Sequence, residues 1–68
     1  MDIFDERPKC ELIGQNGNIF NLVSIAANTL RSNGFNDEAQ ELVHRIWNGE
    51  AKSYSHAIKI IEEYVEIV

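Results

Sequence analysis

The sequence predicts a mainly α fold, a compact three-helix domain with a short N-terminal extended segment able to form a β-strand. Three observations predict it: stretches in which apolar residues recur at helical spacing, glycine-bearing breaks between them, and a length of 68 residues. That length lies near the lower limit for one hydrophobic core and leaves no room for a second. Hydrophobic residues make up 44% and charged residues 25% of the chain, an ordinary globular balance that excludes collagen-like, low-complexity and wholly disordered chains.

Residues 1–9 mix charges with Pro8 and show no period, so they read as an N-terminal tail, with the domain spanning 10–68. Cys10-Glu11-Leu12-Ile13 is a short extended candidate, closed by the turn chemistry of Gly14-Gln15-Asn16-Gly17. Ile19, Leu22, Val23, Ala26 and Leu30 then fall on one helical face. Asn18 stands at the N-cap, and Asn33-Gly34 supplies a left-handed ending on which Phe35 can fold back onto Leu30. This places the first helix over about 18–33. Asn36 can cap a second helix, with Asp37 and Glu38 in its first turn, where the macrodipole favours negative charge. Ala39, Leu42, Val43, Ile46 and Trp47 form its buried stripe, with Trp47 read as central core and Glu41 placed to pair with Arg45. Asn48-Gly49 ends it. Ser53 or Ser55 can cap a third helix whose stripe is Tyr54, Ala57, Ile58, Ile61, Val65 and Val68, widened by Ile60, Tyr64 and Ile67. Connections of three and about four residues force sharp corners and hence a compact array. Val65-Glu66-Ile67-Val68 alternates apolar and charged residues, so it can end as helix or as a strand beside the first segment.

The run Pro8-Lys9-Cys10-Glu11-Leu12-Ile13-Gly14-Gln15-Asn16-Gly17-Asn18-Ile19-Phe20-Asn21-Leu22, with Ser53-Tyr54 and the closing Ile60-Ile61-Glu62-Glu63-Tyr64-Val65-Glu66, resembles short uncharacterised proteins encoded by prophages and conjugative elements of Gram-positive gut bacteria. The likeness covers nearly all of the chain after the tail and is most specific from Glu11 to Leu22. It implies a cytoplasmic mobile-element protein and carries over no catalytic residue. Such proteins have an acidic pair after the serine-tyrosine of the third helix; Ser55-His56 stand here instead, which weighs against a capping box.

Six basic against eleven acidic residues give a net charge of −5, the wrong sign for neutralising a phosphate backbone. The lone Cys10 cannot form an internal disulfide, and the acidic Met1–Arg7 stretch does not read as an export signal, so a reducing, cytoplasmic setting is expected. The apolar runs are far short of the roughly 20 residues that cross a bilayer. Cys10, His44 and His56 are the only soft ligand types and show no metal-binding spacing, so no metal and no cofactor are expected. Neither a nucleophile elbow nor a phosphate loop occurs, and the chain reads as no enzyme.

Two surface features stand out instead. Glu62, Glu63 and Glu66 crowd the end of the third helix, where the macrodipole is already negative and only Lys59 is nearby. A partner can compensate that cluster, with Ile60, Tyr64 and Ile67 as the apolar centre of the contact; the same stripe can instead pack on a second copy as a homodimer. On the first helix, Asn21, Ser24 and Asn28 form a polar but uncharged stripe suited to close contact or to an internal hydrogen-bonding seam. The leading expectation is therefore a non-enzymatic interaction or modulator protein that binds a protein partner through its acidic helical surface, a surface that could also mimic nucleic acid. The alternative is a helix-turn-helix-like nucleic-acid-binding module, opposed by Glu38 and Glu41 among the few basic residues of the second helix.

Overall fold

The computed structural model describes residues 7–12 and 17–68. Ile13 and the Gly14-Gln15-Asn16 turn, like residues 1–6 of the expected tail, lie outside the described residues. The order is β1 (Lys9–Cys10), α1 (Ile19–Ser32), α2 (Asn36–Trp47), α3 (Tyr54–Glu62) and β2 (Glu66–Ile67). The fold is mainly helical, with α1 packed against both other helices and against β1.

Each corner follows from local chemistry. The Asn18 side chain accepts the Phe20 N–H at 2.9 Å and so starts α1. Its end is a Schellman turn: Gly34 adopts φ 84°, the Gly34 N–H bonds the Arg31 carbonyl and the Phe35 N–H bonds the Leu30 carbonyl at 2.8 Å. The end of α2 repeats it, with Gly49 at φ 80° and N–H bonds from Gly49 to Ile46 and from Glu50 to Arg45. The start of α2 differs from expectation: Asn36 is already helical, and the cap position falls to Phe35, whose side chain makes no capping bond. Phe35 is held there by the preceding Schellman turn, and its carbonyl accepts the Ala39 N–H at 3.0 Å. Ser53 caps α3 by accepting the His56 N–H at 3.1 Å. The α2–α3 connection, residues 48–53, is longer than the sequence spacing predicts.

The C-terminal segment ends as strand. β2 lies parallel to β1, with Lys9 opposite Glu66 and Cys10 opposite Ile67. The Glu66 N–H bonds the Pro8 carbonyl and the Val68 N–H bonds the Cys10 carbonyl, each at 2.9 Å. Residues 7–9, expected as tail, are thus bonded to the other end of the chain.

The core contains Leu22, Val23, Ala26, Ala27 and Leu30 from α1, Ala39, Leu42 and Ile46 from α2, and Ala57, Ile60 and Ile61 from α3, closed by Cys10, Leu12 and Val65. Four of these are alanines, small enough to let helix axes approach closely. Cys10 is buried, its Sγ 3.5 Å from the Thr29 hydroxyl.

Three expectations are corrected here. Trp47, read as central core, is 56% exposed. Tyr54 and Val68, placed on the buried stripe of the third helix, are exposed as well. Ile60, read as part of an outer stripe, is only 1% exposed. Ile60 and Ile61 are neighbours about 100° apart on the helix and both buried, so α3 is covered across a wide arc.

Candidate functional site

Two regions concern function, and the acidic end of α3 is the first. Two of its three carboxylates, Glu63 and Glu66, find partners within the chain. Arg7, from the segment expected as tail, donates to the Glu62 carbonyl at the helix C-terminus. Lys9 lies 3.8 Å from Glu66 across the strand pair. Arg45 of α2 donates to Glu63 at 2.9 Å and binds Glu50 at 2.5 Å. The expected shortage of nearby positive charge is therefore corrected: three cations brought in by the fold, and not Lys59, face this end.

Arg45 is the hub of that region. Its Nη1 also donates to the Tyr64 hydroxyl at 2.9 Å, its guanidinium stands 5.7 Å from the centroid of the Tyr64 ring, and the Tyr64 hydroxyl donates to Glu41 at 2.9 Å. The expected Arg45–Glu41 pair is thus bridged by Tyr64. Arg45 and Glu50 occupy the two positions that usually close a Schellman turn with an apolar contact; here an ion pair closes it. The chemistry responds accordingly. Hydrogen bonding to Glu50 first, and then to Glu63 and Tyr64, holds the Arg45 proton more firmly than usual. Hydrogen bonding from Arg45 keeps the Glu50 carboxyl below its ordinary range, and burial pushes the Tyr64 hydroxyl up. Ile67 is half-buried with Tyr64, while Glu62 and Glu63 are exposed. With Ile60 in the core, Tyr64 and Ile67, both half-buried, are what remains at this surface of the expected apolar centre.

The second region is absent from the sequence-based candidates. The Asn18 cap sets Phe20 in the first turn of α1, the Schellman turn at Gly49 leaves Trp47 as the last helical residue of α2, and the Ser53 cap makes Tyr54 the first residue of α3. These three helix ends meet at one end of the body. The Phe20 and Trp47 rings stand 4.5 Å apart between centroids, tilted by 53°, within the range of favourable aromatic pairs. Beside Phe20 opens a groove of about 330 Å³ floored by Ile46, Ala51 and Ala57, walled by Phe20 and Tyr54, and edged by Lys52. A Cβ on Gly17 would stand 3.7 Å from the Tyr54 hydroxyl, so the chain entering α1 passes close beside that wall. Phe20, Trp47 and Tyr54 are each more than half exposed.

The electrostatics of this face differ from the rest of the chain. Among the described residues, no carboxylate lines the groove, and Lys52 is the one charged lining residue. Neither α1 nor α3 carries an acidic residue in its first turn, in contrast to Asp37 and Glu38 on α2. Glu50, the nearest carboxylate along the chain, is turned onto Arg45. The uncharged stripe on α1 continues from the aromatic face: Ser24 and Asn28 follow Phe20 at intervals of four and are exposed, and Asn21 is half-buried beside them. Asn28 accepts from Arg31 at 3.1 Å, so the stripe is not an internal seam at that point. The structure thus joins Asn21, Ser24 and Asn28 to three aromatic residues the spacing rules did not connect.

The titratable candidates stay dispersed. His44 contacts Asn48 at 2.7 Å on the exposed face of α2, and His56 Nδ1 accepts the Lys52 N–H at 3.1 Å in the loop before α3. Among the described residues, no group of three or more His, Cys, Asp or Glu is placed to hold a metal ion. No helix among them is long and apolar enough to cross a membrane. No protein family, no curated protein and no solved structure matches the chain.

Proposed function

We propose that this chain is a non-enzymatic protein-interaction module, an accessory of a mobile genetic element, and that it binds through the Phe20–Trp47–Tyr54 face and not through its acidic helical end. One observation carries the reading: Phe20 and Tyr54, each more than half exposed, wall an apolar groove, and the equally exposed Trp47 ring packs on Phe20 beside it. Large apolar side chains exposed as one patch mark contact sites on small soluble proteins, and Trp and Tyr are the commonest anchors of such contacts. Among the described residues, the lining contains no carboxylate, and its polar members are Lys52, Ser53 and the Tyr54 hydroxyl. The matching partner surface is therefore apolar at its centre and lightly charged, since burying an unpaired charge there is costly. The nucleic-acid alternative gains nothing from the geometry, because the one arginine of α2, Arg45, is engaged with Glu50 and Glu63.

Selection from a random peptide library on the intact protein tests the reading, with a Phe20→Ser, Trp47→Ser, Tyr54→Ser variant as counter-target. All three residues are over half exposed, so the variant keeps the helical fold, and circular dichroism checks this. Peptides enriched on the parent protein should lose at least roughly tenfold in affinity on the variant. Enriched peptides that bind both equally would overturn the proposal.

A further inference from the structure

We infer that the partner covering the aromatic face is a second copy of this chain, which makes the protein a two-fold dimer joined through Phe20, Trp47 and Tyr54. The inference rests on the interaction reading above and names its occupant.

Charge argues for it first. In a two-fold contact the same surface meets itself, so any charge near the axis faces its own copy. The chain carries a net charge of −5, and most pairings of two copies set carboxylates against carboxylates. The early part of α2 presents Asp37, Glu38 and Glu41, and the far end of α3 presents the exposed Glu62. The aromatic face is the exception: among the described residues, Lys52 is the one charged residue lining its groove. A basic partner finds no charge to bind there and is steered to the acidic ends instead.

Area argues second. The three aromatic residues, each slightly over half exposed, present on the order of 250–400 Å². The exposed Ser24, one turn along α1 from Phe20, Asn48 next to Trp47 and Ser53 next to Tyr54 extend the patch toward the roughly 800 Å² per partner of a standard interface. The chain exposes 4437 Å² in all, so a dimer of this kind covers a substantial part of a body whose own core is small. Small domains with limited cores gain stability by this route.

The test is sedimentation equilibrium of the full chain from roughly 1 to 500 µM, a range that brackets micromolar dissociation constants. Emission from Trp47, the single tryptophan, is followed over the same range. A monomer–dimer equilibrium is expected, with emission shifting to the blue as dimer forms. Each copy measures 31 × 25 × 20 Å, so the two centres lie about 25 Å apart and net repulsion is screened by salt. Raising salt from about 10 to 100 mM should therefore tighten the dimer roughly tenfold. The triple serine variant should be monomeric across the range, whereas Asp37→Ser should dimerise at least as well as the parent. A parent chain that stays monomeric at the highest concentration overturns the inference, as does a dimer that survives the triple variant. If the parent is monomeric but library peptides still depend on the three aromatics, the face binds a different protein and only the dimer falls. If neither dimer nor aromatic-dependent peptide appears, the interaction reading falls with it.

Discussion

Replacing Ile60 by alanine separates the two roles that residue could have, surface anchor or core. Ile60 is 1% exposed, and the truncation removes about three methylene equivalents at ~0.8 kcal/mol each, or ~2.4 kcal/mol. The space left behind adds up to about 2 kcal/mol where the neighbours do not close in, giving an expected loss of about 2.5–4.5 kcal/mol. A domain of 68 residues has roughly 3–10 kcal/mol of stability in total. Ile60→Ala is therefore close to the edge of folding, and Ile60→Asp, which buries a carboxylate, lies beyond it. Urea denaturation followed by far-ultraviolet circular dichroism at one fixed protein concentration measures the loss, the concentration being held because dimer formation shifts apparent stability. With a slope near 1 kcal/mol/M for so small a chain, the midpoint should fall by about 2–4 M. A loss under about 1 kcal/mol at unchanged slope would place Ile60 on the surface and restore the acidic end of α3 as a contact with an apolar centre.

Three further outcomes follow from the fold. The carboxyl of Glu50 lies below its ordinary value of 4.5 because Arg45 donates to it, so its contribution is present above that value and is lost as pH falls through the lower, folded one; Arg45→Met should flatten the acid side of a stability-against-pH curve, and an unaltered acid limb would show that the contact is idle. Gly34 and Gly49 adopt φ of 84° and 80° with open space around the missing Cβ, so alanine at either should cost about 1–2 kcal/mol from backbone strain alone, asparagine less, as read by thermal unfolding. Ser53→Ala should cost about 1 kcal/mol through loss of the α3 cap, and an unchanged melting temperature would remove Ser53 from that role.

Much of this architecture is legible in the residues, because the signals that set it are local. Asn18, Asn33-Gly34, Asn48-Gly49 and Ser53 mark the corners through hydrogen bonds that span a few residues, and the three stripes identify most of the core. What periodicity misreads is where the core ends. Trp47 sits at a buried position of the α2 repeat, yet it is the last residue of that helix and meets the first turn of α1, beyond which no element among the described residues lies over it. Phe20 carried the available signal: it is a bulky aromatic residue beside Ile19 and off the series Leu22, Val23, Ala26, so the helix has no inward place for it. Tyr54, as the first residue of α3, is in the same position. The pairing of Arg7 and Lys9 with the end of α3 was not legible, because it depends on a parallel strand contact between distant segments, and that of Arg45 depends on how α2 packs against α3.

Total charge consequently describes this surface less well than the distribution of charge does. A net charge of −5 points toward a basic partner only if the carboxylates are free to meet one, and at the end of α3 the fold supplies its own cations to Glu63 and Glu66. An ion pair already made on the surface contributes little further energy to binding, since a partner's charge must displace the one present. Aromatic area has no such internal substitute: Trp47 can cover part of Phe20, but the outer faces of both rings and of Tyr54 lose their contact with water only against another molecule. The apolar surface left over after folding thus lies at the meeting point of three helix ends, where no carboxylate among the described residues lines the groove and where the proposed second copy would meet little repulsion.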